Sequence, residues 1–348
     1  MDDPKRRDVA EQLNNYSSEL KKLHKFTAAA IALERAIEIL PDSGTLWSNL
    51  GAVKWSQNDF VTAEKCMMKA LELGYDNDKI NCNLGLLMSS MNRWDEAEKY
   101  FQRSMSQAPE EHLAEWEDSL TCLDKGDWIN GFKKYDIRRQ IKKEYNALKY
   151  PFWNGEDLNG KTIYIQAEQG LGDRFLFHRY LYWLKEKYPT VKILYLCDSA
   201  LHNLFWELKL ATGLEFIPNK VPWPKADYGQ YLMNLPRFHG TTPDNVYPDP
   251  GLIRKRVEPY KNACNLPAPE LSSLKVGICW TGNPVMEQNI QRSVPLEMML
   301  ELAKDSKVVL YNFQVGKEGS DAINNLGADG LICDIGPGLE KKVGLELH

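Results

Sequence analysis

Small residues recur in this chain at one fixed interval. Ala29, Ala63 and Ala97 stand 34 residues apart, as do Leu50 and Leu84, and Gly51 and Gly85. Pro41 and Pro109 are separated by twice that interval, with Tyr75 at the midpoint. A period of this length restricts the first third of the chain to stacked helical hairpins, each too small to bury its apolar face without a neighbour. Ordinary amphipathic helices would not keep one spacing at so many positions. Binding or spacing is therefore expected of this third, and chemistry, if any, of the remainder.

Position by position, the pattern resembles the tetratricopeptide repeat (TPR) family. One unit carries Trp47, Leu50, Gly51, Ala63, Met67 and Ala70, and the next carries Leu84, Gly85, Ala97, Phe101, Ser104 and Pro109. A looser first unit has Leu13, Tyr16, Ala29, Leu33, Ala36 and Pro41, and a degenerate fourth runs from about His112 through Trp128 and Tyr135 to Arg139. Small residues at the Gly and Ala positions let two antiparallel helices approach. Leu33, Met67 and Phe101 are expected to fill the gap to the following hairpin. The repeats are placed over 1–147. Helix position makes Asn49, Lys54, Asn83 and Arg103 candidates for a concave face that takes a protein, peptide or glycan, or else for merely solvated residues.

At 348 residues the chain has room for two or three domains. Hydrophobic residues are 43% and charged residues 26%, near globular averages, and the net charge of −5 with no basic block speaks against nucleic acid as a partner. No apolar run approaches a membrane span, and the start MDDPKRRDVA lacks a signal-peptide core. The seven cysteines form no CxxC pair and no cluster with histidine, so thiols in a reducing compartment are expected and zinc is not. These features together predict a cytoplasmic protein with no resident metal or cofactor.

After about Tyr150 the pattern changes. Thr162–Ala167 is β-rich, Glu168-Gln169-Gly170-Leu171-Gly172-Asp173 follows, and Arg174–Leu184 has helical spacing. Strand, glycine-rich turn and helix open an α/β sheet. Further strands are predicted at 191–197, 214–217, 231–234, 275–280 and 307–313, with helices over 199–210, about 295–304 and about 317–326, then a last segment at 330–334. A proline-rich connection between Pro243 and Pro269 suggests a hinge between two halves. The fold class expected is thus α + α/β: a helical-hairpin solenoid, then a Rossmann-like half over 148–270 and a partial second half over 271–348.

The runs Trp153-x-Gly155-Glu156-x-Leu158-x-Gly160, Glu168-Gln169-Gly170-Leu171-Gly172-Asp173, Leu235-Pro236-Arg237, Val276-Gly277-x-x-Trp280-x-Gly282-Asn283-Pro284 and Arg292-Ser293-x-Pro295-Leu296 resemble TPR-linked glycosyltransferases of the GT-B type. The α/β part is similar to the heptosyltransferase family, and the layout to O-linked N-acetylglucosamine transferases. The resemblance implies an inverting transfer from a nucleotide-sugar donor to an acceptor hydroxyl, with the sugar nucleotide as substrate. It implies that Asp173 is the general base; read from the residues alone, Asp173 equally suits the cap of its helix. Gly170 and Gly172 admit a ligand to the backbone or permit a tight turn. On the donor side, Gly282, Asn283, Arg292 and Ser293 would bind the diphosphate; otherwise Arg292 is a surface residue and Ser293 lies near a helix cap. His178 and His239 are secondary candidates, more ordinarily packing residues. Trp116, Trp128, Tyr135 and Trp153 are expected to form the seam between repeats and sheet.

From Lys275 to His348 there is space for roughly two βα units. The donor half is therefore expected to be incomplete, its exposed sheet edges to invite a homo-oligomer, and a non-catalytic TPR adaptor to be the alternative function. A dehydrogenase is disfavoured because Phe175 stands where a dinucleotide-binding turn carries its third glycine.

Overall fold

The computed structural model describes residues 4–141, 148–197, 199–202, 205–217, 223–248, 274–282, 293–314 and 316–336. Its chain divides into two compact units, Met1–Leu252 and Ile253–His348.

The first unit begins with four antiparallel helix pairs. These are α1 (Pro4–Lys22) with α2 (Phe26–Ile39), α3 (Gly44–Ser56) with α4 (Phe60–Glu72), α5 (Asp78–Ser90) with α6 (Trp94–Gln107), and α7 (Leu113–Lys125) with α8 (Trp128–Lys134). The period is kept most strictly by the backbone of the turns. His24, Asn58, Asn92 and Gly126, each 34 residues from the next, all have positive φ: 56°, 61°, 58° and 90°. Each turn closes with the same pair of bonds. The long one runs from Lys25 N to Leu20 O, Asp59 N to Lys54 O, Arg93 N to Met88 O and Asp127 N to Cys122 O, all between 2.9 and 3.0 Å. This is the Schellman closure, which satisfies carbonyls the helix end would leave orphaned. The loose first unit and the degenerate fourth are therefore as regular in backbone as the two between them.

Packing within the hairpins explains the small residues. A methyl group on Gly51 would sit 2.6 Å from Met67 Cγ, and one on Gly85 2.5 Å from the Phe101 ring. Met67 and Phe101 thus fill space against the glycine of their own hairpin, not only the gap to the next one as the sequence suggested. On the faces between hairpins, the second and third units place Leu46 and Ile80, Leu50 and Leu84, and Val53 and Leu87, all buried. One period earlier stand Gln12, Tyr16 and Glu19, all exposed, so the outer face of the first hairpin is largely polar and can stand in water.

Beyond a 3-10 turn at Tyr135–Ile137 and the short α9 (Arg138–Ile141), the unit continues into a parallel sheet of β1 (Thr162–Gln166), β2 (Lys192–Leu196), β3 (Glu215–Ile217) and β4 (Tyr228–Tyr231), in the order β3-β2-β1-β4. Strands buried on both faces need continuous apolar runs, and Ile163, Tyr164, Ile165, Ile193, Leu194 and Tyr195 supply them. Helices α10 (Leu171–Phe177), α11 (Arg179–Lys187), α12 (Ser199–His202), α13 (Trp206–Thr212) and α14 (Leu235–His239) complete it.

Three expectations are corrected here. The strand expected at 231–234 ends at Tyr231, and Leu232–Asn234 form a 3-10 turn into α14. The helix expected over 174–184 is two helices meeting at His178. The one expected over 199–210 is likewise replaced by α12 and α13.

The second unit is a parallel sheet of β5 (Leu274–Ile278), β6 (Val308–Asn312) and β7 (Ile332–Asp334), in that order, with α15 (Leu296–Met299) and α16 (Lys317–Asn325). After Met299 the expected helix tightens into 3-10 form through Lys304. Its core joins Ile278, Trp280, Leu296, Leu310, Ile323 and Ile332.

Candidate functional site

Strand order locates the crevice. From β1 the chain moves outward through β2 to β3, then returns to the other side of β1 as β4, so the direction of winding reverses between β1 and β4. Ligands of open α/β sheets bind beyond the carboxyl ends of the strands at such a switch point. The loops that meet there are Glu168–Gly172 after β1 and Leu232–Asn234 after β4.

The end of the helical array packs into this place. Arg138 stands one period beyond Ala36, Ala70 and Ser104, positions that are small and buried in the three earlier units. Its guanidinium is buried and grips Glu168 with two bonds, Nε to Oε2 at 3.0 Å and Nη2 to Oε1 at 2.5 Å. A third nitrogen donates to Tyr135 O at 2.9 Å, and Met233 N donates to Glu168 Oε1 at 3.2 Å. Burial disfavours the guanidinium charge, but the charge and hydrogen bonds of Glu168 outweigh it and hold Arg138 above its usual range. Around the pair, Gln169 Nε2 donates to Tyr135 OH at 2.8 Å and Asn234 Nδ2 to Asp136 Oδ1 at 2.7 Å. Sheet loops occupy the side of the fourth hairpin where a fifth hairpin would stack. Arg138 was not singled out from the sequence, and Glu168 stood there only as the first residue of the glycine-rich run. The signal was present, because an arginine at a periodic buried-alanine position requires a buried anion.

Of the predicted seam aromatics, Tyr135 packs against Trp116 with ring centroids 4.9 Å apart and tilted by 34°, and also reaches Gln169. Trp128 packs on Phe132, which meets Phe177 across the seam. Trp153 does not belong to the seam. It is fully buried between Tyr188 and Phe238 in the sheet region, its indole N–H held by Glu156 O at 2.8 Å.

The glycine-rich turn lies beside this joint and is open to solvent. Gln169, not a glycine, takes the left-handed conformation, with φ of 59°. Gly170 has φ of −74°, and a methyl on Gly172 would meet nothing within 4 Å. The backbone conformation of the turn therefore requires neither glycine: Gly172 leaves open space, whereas a methyl on Gly170 would sit 3.3 Å from Asp173 Oδ2. Asp173 lies in the first turn of α10, where its Oδ2 accepts the Gly170 N–H at 3.0 Å. Its Oδ1 has no hydrogen-bond partner among the described residues. His178 is buried at the junction of α10 and α11, with Nδ1 2.6 Å from Phe175 O and its ring stacked on Phe205. His239 lies between Tyr180, Trp183 and Tyr247, with Nδ1 2.8 Å from Thr241 Oγ1. Burial, and secondarily Lys187, lowers its pKa below the ordinary histidine value. Both histidines pack against aromatic rings.

In the second unit, Thr281 and Ser293 are joined hydroxyl to hydroxyl at 2.9 Å. With Trp280, Pro295 and Leu296 they line a cavity of about 600 Å³. Gly282 follows Thr281 at the exposed carboxyl end of β5. Gln314 Oε1 accepts the Thr281 N–H at 3.2 Å, and Asp334 Oδ1 accepts from Asn312 Nδ2 and Gly336 N, so one polar network runs along the ends of all three strands. Asn283 and Arg292 lie outside the described residues.

Of the four side chains expected to line a binding face, three are engaged within the chain. Asn49 donates to Asn14 at 2.7 Å, Lys54 pairs with Glu34 at 2.9 Å, and Arg103 pairs with Asp76. Asn83 is half-buried. Among the described residues, no helix is long and apolar enough to cross a membrane and no three potential ligands cluster to hold a metal ion.

Comparison with known proteins bears on the array. The tetratricopeptide repeat family model matches residues 42–110, and the chain carries TPR repeats. Protein FlbA of Caulobacter vibrioides is 24% identical over 346 residues, covering 89% of this chain and 56% of the relative. The chain thus spans just over half the length of that relative. Similar solved structures include the Arabidopsis OM64 TPR domain (TM-score 0.33, 19% identity, 34% of this chain and 98% of that one). Another is PilF of Pseudomonas aeruginosa (TM-score 0.34, 20% identity, 38% and 62%).

Proposed function

We propose that this protein recruits a partner through its TPR array and transfers a sugar from a nucleotide-sugar donor to an acceptor hydroxyl beside Asp173. The observation that carries the reading is the turn at 170–173: accessible glycine backbone, at the carboxyl edge of the central strand, followed by a carboxylate with one oxygen fixed and one open. In the reaction, Asp173 takes the acceptor's proton as its oxygen forms a bond to the anomeric carbon, and the nucleoside diphosphate leaves from the opposite face. Negative charge gathers on the diphosphate, and Gly282, Asn283, Arg292 and Ser293 are the groups proposed to meet it. The bidentate geometry of arginine suits phosphate oxygens.

Calorimetric titration with UDP, GDP, ADP and CMP, with Arg292→Ala as control, tests the donor side. Saturable binding lost in the variant supports the reading. Asp173→Asn is then expected to abolish turnover with folding intact, and undiminished turnover would remove Asp173 from the mechanism.

A second reading, a non-catalytic adaptor, is favoured by one observation: Tyr135 and Arg138 fill the switch-point side of the crevice in which a sheet ligand would ordinarily lie. Absence of binding to all four nucleotides would select it.

A further inference from the structure

We infer that the groove between α5 and α7 receives a lysine or arginine side chain from an extended segment of a partner protein. The inference rests on the recruiting role proposed above and is independent of the transfer chemistry.

The groove has a volume of about 440 Å³ and is lined by Leu86, Ser89, Glu117, Leu120, Thr121 and Asp124, among others. Spacing on α7 puts Glu117, Leu120, Thr121 and Asp124 on one helix face, since residues three, four and seven apart align. Thr121 Oγ1 donates to Ser89 Oγ at 3.0 Å, tying the two helices together beside it.

The groove is acidic. Several carboxylates of the array are matched to cations: Glu34 with Lys54, Glu64 with Arg93, Asp118 with Lys134. Glu117 and Asp124 have no cation partner among the described residues, and the neighbouring Lys125 is turned to Asp95 at 3.1 Å. Burial raises the carboxyl pKa of both. Glu117 also helps, after burial itself, to push the buried Cys82 thiol of α5 up to about 12. A partly desolvated carboxylate without a counter-charge is an energetic cost that a bound cation removes. Leu86 and Leu120 offer apolar surface to the methylene stem of the same side chain. Acidic peptides and nucleotides are repelled from such a groove, so its ligand is distinct from the donor.

The test uses the full chain and a short fluorescein-labelled Gly/Ser-rich peptide carrying a Lys-Leu-Arg step, with a twin in which glutamates replace the two basic residues. Anisotropy is expected to saturate with the basic peptide alone and to weaken with added salt. Glu117→Gln should raise Kd at least about tenfold and Asp124→Asn by less. Asp124 is the more exposed of the two, so its variant reports even where Glu117→Gln perturbs packing. Equal binding of both peptides, no saturation, or unchanged affinity in both variants overturns the proposal. So does a calcium titration in which the metal alone binds and binding is lost in both variants, since the groove is then a cation site. Peptide binding without nucleotide binding keeps this inference and removes the transfer reading; the reverse outcome does the opposite.

Discussion

The two inner hairpins of the array and its two outer ones share a backbone and differ in what they bury. Where α3 and α5 place Leu50 and Leu84, α1 has the exposed Tyr16 and α7 the buried Asp118, paired with Lys134 at 2.6 Å. Where the first three units bury Ala36, Ala70 and Ser104, the fourth buries Arg138. The turn closures do not change across all four. Backbone geometry is therefore a property of the repeat, whereas side-chain chemistry follows what each hairpin faces: another hairpin, water, or the sheet.

The comparison breaks most visibly at the joint. Arg138→Met leaves Glu168 charged, buried and unpaired, and should cost about 3–5 kcal/mol in urea denaturation of the chain. Replacing both, as Arg138→Met with Glu168→Leu, should recover much of that loss. If the single variant is as stable as the wild type, the joint contributes nothing and the two regions are coupled otherwise. Inside the array the expected cost is smaller. Gly85→Ala drives a methyl into the Phe101 ring and should cost about 1–3 kcal/mol, read as a fall in Tm; Gly85→Ala with Phe101→Leu should relieve it.

The acidic groove gives a pH signature with a definite sign. Glu117 and Asp124 have folded pKa values raised above their unfolded ones. Their contribution to stability is therefore fully present below the unfolded values and is lost as pH rises through the folded ones. Glu117→Gln should flatten that part of the stability profile and raise Tm at neutral pH. A steeper profile in the variant would contradict the burial of Glu117. The smallest effect belongs to the turns: His24→Gly removes a side chain from the left-handed region and should stabilise the first hairpin by about 0.5 kcal/mol, whereas Gly126→Ala should destabilise the fourth.

Legibility in the sequence followed the range of the interactions. The repeats were visible because Ala63, Gly51 and Met67 meet within one hairpin, so one period carries the whole contact set. The strands at 162–166, 192–196 and 308–312 were visible as short apolar runs. Continuous helices at 174–184 and 199–210 were expected because spacing alone does not reveal the break at His178. Trp153 was misplaced because an aromatic residue shows that it is buried but not against what.

By itself the sequence determined the helical hairpins, the parallel α/β character of the remainder, and the small-residue contacts that set helix spacing, all of which depend on neighbours within about one repeat. Only the tertiary structure decided that Arg138 meets Glu168, that Gln169 instead of a glycine takes the strained position, and that Glu117 and Asp124 face a groove without a counter-charge. Those outcomes depend on residues far apart in the chain or on cations absent from a surface, and a local pattern carries no information about either.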